Sequence, residues 1–149
     1  MPYEKLVKQG RIRAYRATPK EVQQLLQVSV RDLNAGRKNL EVSSDWAYTM
    51  AYNAILQACR ALMLYEGYRP RGGDQHATVV AFVEESLGSG YSNQVHLLDQ
   101  MRRKRHRVIY EISGLIGKEE SEQAINFAQD FLEILNEVIT GQLRLKSHE

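Results

Sequence analysis

The stretch from about Ser44 to Glu66 constrains this chain more than any other. It is apolar nearly all round, the pattern of a central helix whose every face is covered by neighbours. Along it Ala47, Ala51, Ala54, Ala58 and Ala61 recur at alternating spacings of four and three, a small-residue seam that lets another helix approach closely. A helix of this kind is stable only inside a bundle, so the rest of the chain has to supply its companions.

The sequence offers four. Thr18-Pro19-Lys20-Glu21 reads as a capped start with proline in the first turn, and Val22, Leu25, Leu26, Ser29 and Leu33 continue as one stripe up to Gly36. His76, Val79, Val80, Val83 and Leu87 mark a shorter helix that stops at Gly88-Ser89-Gly90. Another helix is expected from about Ser92 to Ile112. A long one follows Gly117, with Ala124, Ala128, Phe131, Leu135 and Val138 in heptad-like spacing. With three prolines and no β-alternating run of useful length, the expectation is an all-α, antiparallel up-and-down bundle of about five helices.

At 149 residues and 43% hydrophobic content, the chain is sized for a single domain spanning 1–149. Its formal charge is only +2, so attraction to phosphate has to come from the placement of charges. One concentration is a basic N-terminal arm, residues 1–18, where Lys5, Lys8, Arg11, Arg13 and Arg16 face one acid, Glu4. Such an arm is a candidate phosphate contact or a solvated terminus. The lone Cys59 sits among Ala58, Ala61 and Leu62 and reads as a buried thiol of a reducing compartment. No apolar run reaches a membrane span and the opening Met-Pro-Tyr-Glu-Lys has no signal-peptide core, so a cytoplasmic address without membrane contact is expected. His76, His96, His106 and His148 lie too far apart for a zinc spacing, and neither metal nor cofactor is expected. The glycines of Arg71-Gly72-Gly73-Asp74 and Gly88-Ser89-Gly90 read as helix joints, His76 as a core or capping histidine, and Trp46 as a core anchor.

The chemistry concentrates in Met101-Arg102-Arg103-Lys104-Arg105-His106-Arg107, five cations and a histidine in seven positions. At about 100° per residue, Leu97, Leu98, Met101, Val108, Ile109 and Ile112 fill one arc of this helix, and Arg105 falls inside it. A guanidinium so placed is partly buried and needs a partner, for which Asp45 is the first candidate carboxylate. Arg102, Arg103, His106 and Tyr110 gather on the other side, and together they suit one phosphate. Arginines neutralise and orient a phosphate, while an imidazole or a phenol hydroxyl shuttles or donates a proton, with no metal required. The alternative is a solvated basic face, with His106 at the surface and Tyr110 packed with its hydroxyl outward.

Three segments stand in order along the chain: Leu6-Val7-Lys8-Gln9-Gly10-Arg11-Ile12-Arg13 ahead of Arg31-Asp32-Leu33, then Ala47-Tyr48-Thr49-Met50-Ala51-Tyr52-Asn53-Ala54 through Gly67-Tyr68-Arg69-Pro70, and Met101 through Tyr110. Together they resemble the HEPN superfamily. The resemblance covers about residues 6 to 140. It implies a helical bundle that pairs as a symmetric dimer, bringing two copies of the basic motif together. In ribonuclease members that motif is an arginine followed four to six residues later by histidine. Arg105 matches the arginine and His106 the polar position after it, but Tyr110 stands where histidine is usual. A phenol, whose ordinary pKa is about 10, is a poor general base at neutral pH, so the usual chemistry does not carry over intact.

The leading expectation is therefore a dimeric HEPN protein binding RNA or a nucleotide, as a component of a toxin-antitoxin or nucleotidyltransferase pair whose enzyme is a separate polypeptide. Arg105, His106 and Tyr110 are the candidate catalytic set, with Arg102, Arg103, Arg107, Arg69 and Arg71 as phosphate contacts. Two alternatives remain: a metal-independent endoribonuclease using Arg105, His106 and Tyr110, and a non-catalytic helical protein-interaction subunit.

Overall fold

In the computed structural model, residues 3–147 are described, with side chains through residue 141. His148 lies outside them. The element order is α1 (Glu4–Lys8), β1 (Ile12–Ala14), α2 (Pro19–Asn39), α3 (Ser44–Tyr65), β2 (Tyr68–Pro70), α4 (Gln75–Leu87), a 3-10 turn at Ser89–Tyr91, α5 (Ser92–Tyr110) and α6 (Lys118–Ser147). The five expected helices are α2 to α6, and the chain is an all-α bundle.

Local chemistry sets the helix starts. Thr18 and Glu21 form a reciprocal capping box at α2, each side chain taking the other's backbone N–H at 3.2 Å, with Pro19 in the first turn. Ser43 caps α3 by accepting from the Trp46 N–H at 3.2 Å, and Asp74 caps α4 by accepting from the Ala77 N–H at 3.1 Å. Gly88, at φ 79°, turns the chain out of α4 through a conformation that glycine adopts without strain.

Helix α3 is the axis. All five seam alanines are fully buried, and so is Cys59, whose thiol is pushed well above its ordinary pKa by burial. Helix α2 approaches the seam at Gly36. A Cβ there would lie 2.8 Å from Cδ1 of Ile125 and 3.3 Å from the Ala47 carbonyl oxygen. The sequence reading ended the first helix at this glycine; instead the helix runs on to Asn39 and Gly36 is a point of close approach to α3 and α6.

Two further expectations change. A two-stranded antiparallel sheet pairs Ile12 with Pro70, Arg13 with Arg69 and Ala14 with Tyr68. Three residues per strand are too few to show alternation, and Pro70 is tolerated because each strand is an edge. Trp46 is not a core anchor: it is 56% exposed, because it sits in the first turn of α3 with its neighbour Ala47 turned inward.

The N-terminal stretch is packed down on the bundle. Tyr3 is buried and stacks on Phe82 at 4.1 Å between ring centres, with its hydroxyl donating to Glu66 at 2.8 Å. Leu6 and Ile12 are buried too, while Lys5, Lys8, Arg13 and Arg16 remain at the surface.

Candidate phosphate-binding site on α5

Of the apolar arc read on helix α5, Leu98 and Met101 are buried and Val108 is half-buried, whereas Leu97 and Ile109 are 46% and 37% exposed. The helix ends at Tyr110 rather than at Ile112, so Ile112, 43% exposed, belongs to the joint that follows it.

Arg105 lies on the same arc. Its Nε is buried without a hydrogen-bond partner, and its guanidinium carbon sits 5.8 Å from the centre of the Tyr52 ring on α3. Among the described residues no carboxylate comes within ion-pair distance of it. Asp45 is not its partner: that carboxylate accepts the backbone N–H groups of Gly114, at 2.6 Å, and Ile116, at 3.2 Å, tying the start of α3 to the joint before α6. The expectation failed because two backbone donors without helical partners compete for the same carboxylate.

Arg103, His106, Arg107 and Tyr110 share the outward arc, at spacings of three, four and seven, and all four are exposed. The His106 and Tyr110 rings touch at 4.8 Å between centres. Arg105 points to the opposite side, so one chain separates the arginine of the proposed catalytic set from its histidine and tyrosine.

The cations of α5 are mostly paired. Asp99 accepts from Arg102 at 2.9 Å and meets Arg103 at 3.2 Å, and Asp74 lies 3.7 Å from Arg102. Lys104 pairs with Glu120 and Arg107 with Glu111. The sequence signal for Asp99 was its position three and four residues before Arg102 and Arg103. Of the other expected phosphate contacts, Arg69, in β2, lies over the Tyr15 ring at 5.1 Å, and Arg71, just after that strand, is exposed. Asp74 joins the loop after β2 to α5 through Arg102.

Behind Arg105, sequence reasoning missed a polar group. The Tyr52 hydroxyl lies 2.9 Å from Nδ1 of His76, and the two rings stack at 5.8 Å. His76 is half-buried, as expected of a satisfied histidine, and its pKa is lowered by burial and then by the charges of Arg105 and Arg60. Burial likewise holds the Tyr52 phenol above its ordinary range. Among the described residues no group of three histidine, cysteine or acidic side chains is placed to hold a metal ion, and no helix is long and apolar enough to cross a membrane.

Comparison with known proteins agrees with this architecture. The structure is similar to that of TT1696 from Thermus thermophilus, with a TM-score of 0.61 and 19% identity, over 78% of this chain and 97% of that one. At that identity the likeness shows the fold alone. No curated protein matches the sequence. The HEPN domain profile matches residues 22–138, from the first core position of α2 to the last turns of α6, and the chain belongs to the HEPN family.

Proposed function

We propose that this chain binds RNA or a nucleotide as a homodimer, with the C-terminal half of α5 at the subunit boundary. The observation that carries this reading is the exposed apolar pair formed by Ile109, on the last turn of α5, and Ile112, just past its end, with Arg105, whose Nε has no acceptor, one turn before Ile109. A second copy laid against this end of α5 covers both isoleucines and brings two sets of Arg105, His106 and Tyr110 to one groove. The exposed His106–Tyr110 pair, flanked by Arg103 and Arg107, is the combination that single-stranded RNA uses: an aromatic platform for a base with cations beside it for the backbone. The ion pairs that engage those arginines are exposed and exchange readily for phosphate. Membership of the HEPN family supports a role within a toxin-antitoxin or nucleotidyltransferase pair.

The test joins assembly to binding. Light scattering is expected to give a dimer, and Ile112→Asp a monomer. Binding to a labelled single-stranded RNA should weaken as salt rises and should fall in Tyr110→Ala. A monomeric wild type, or binding indifferent to salt, overturns the reading. Incubation with RNA in EDTA, comparing wild type with Arg105→Ala and His106→Ala, separates a binder from a ribonuclease.

A further inference from the structure

We propose that the groove between α5 and α6 receives one base of a single-stranded RNA, turned out of the strand whose phosphates lie on Arg103 and Arg107. This rests on the RNA reading above and deepens it, since the groove adds residues that the outer face of α5 does not hold.

The groove encloses about 640 Å³. Its buried lining comes from three helices, Tyr48 of α3, Met101 of α5 and Ala124 of α6, and Leu97 and Leu115 add apolar surface nearer to solvent. The volume falls within the roughly 300–1,000 Å³ of small-molecule sites, which likewise set a few polar groups around an apolar floor. One of the polar groups here is unmatched. Tyr48 is only 4% exposed yet lines the groove, and among the described residues its hydroxyl has no hydrogen-bond partner. Burial, and then the charge of Glu120, raise its pKa, so the phenol keeps its proton and is a donor for a ligand acceptor. Gln100 and Gln123, exposed on α5 and α6, add amides that both donate and accept.

Charge decides which part of a nucleotide enters. Lys104 of α5 and Glu120 of α6, both in the lining, pair with each other and leave the interior close to neutral. A carboxylate there disfavours phosphate, whereas a neutral base with donors and acceptors on its edge fits. Arg103 and Arg107 stand at the edge of the groove, exposed. At about 100° per residue they fall between Tyr110 on one side and Gln100 and Lys104 on the other. The cations thus separate the His106–Tyr110 platform from the groove, so a strand crossing them lays one base on the platform and a neighbouring base in the groove. An aliphatic side chain of a partner protein would cover the apolar floor but leave the Tyr48 hydroxyl unmatched; a base satisfies both.

The test uses a short labelled oligoadenylate on the full chain, with fluorescence titration for affinity and NMR for the position of the base. Base protons are expected to show nuclear Overhauser contacts with the methyl groups of Met101 and Leu115. Tyr48→Phe removes an oxygen that no other described residue holds, so it should leave the melting temperature near wild type and weaken RNA about three- to tenfold. Gln123→Trp, at an exposed helical position, fills the groove from its rim and should weaken RNA at least about tenfold. Full affinity in both variants, or base protons that contact only His106 and Tyr110, overturns the proposal. RNA binding then stands on the outer face alone, and an apolar protein segment is the remaining occupant of the groove. Absence of RNA binding by the wild type overturns both readings.

Discussion

The guanidinium of Arg105 rests 5.8 Å from the centre of the Tyr52 ring, with its Nε buried and unpaired. A cation–π contact of this kind is worth about 0.5–2 kcal/mol, while an unsatisfied buried donor costs about 1–3 kcal/mol, so Arg105 is close to neutral or costly for the free fold. Arg105→Met, of similar length and without the charge, is expected to raise the melting temperature of the free protein by about 2–4 °C per kcal/mol gained. The same substitution should weaken binding of single-stranded RNA. Thermal denaturation and a titration with labelled RNA check the two halves.

Asp45 holds two backbone N–H groups, those of Gly114 and Ile116, and so closes the joint between α5 and α6. Asp45→Ala leaves both donors without a protein acceptor and is expected to cost about 1–3 kcal/mol. Asp45→Asn, which retains one good acceptor oxygen, should cost less. Amide exchange at Gly114 and Ile116 should speed up in the alanine variant before any global loss of structure.

Gly36 and Ile125 are coupled through space, since a Cβ at position 36 would stand 2.8 Å from Cδ1 of Ile125. Gly36→Ala gains up to about 1 kcal/mol of helix propensity but crowds the α2–α3–α6 contact at a typical cost of about 1–3 kcal/mol. The expected net effect is a loss. Ile125→Val removes the crowding atom, so the double variant should be more stable than the two single effects predict. A double-mutant cycle by urea denaturation measures this coupling.

The pH dependence has two limbs. Burial raises the folded pKa values of Cys59, whose ordinary value is 9.0, and of Tyr3, Tyr48 and Tyr52, whose ordinary value is 10.0. Each therefore adds stability that is complete below its ordinary pKa and is lost as pH rises above it. For His76 the folded pKa is lowered from 6.5, so its contribution is complete above that value and lost as pH falls through it toward the folded pKa. Chemical denaturation across pH should show a plateau from about 7 to 9. The acid shoulder should disappear in His76→Gln.

The helices were legible because their signals are local. The capping box at Thr18, the all-round apolar α3 and the alanine seam act within a few turns, and the seam's fully buried alanines sit where the spacing placed them. The two short strands were not legible, because pairing Ile12 with Pro70 depends on residues 58 positions apart. Trp46 misled for a related reason: its size argues for burial, but its position on the first turn of α3 faces outward while the adjacent Ala47 faces the core.

Residue by residue, the sequence by itself determined the helical class, the family, the central role of α3 and the part-burial of Arg105, since periodicity and residue type act along one chain direction. Only the tertiary structure decided what surrounds that arginine. Asp45 goes to the Gly114 and Ile116 amides, Asp99 and Asp74 take Arg102, and the hydrogen-bonded Tyr52–His76 pair lies behind Arg105 from two other helices. Which donors meet which acceptors is settled by the packing of helices distant in sequence, and no spacing along a single helix encodes it.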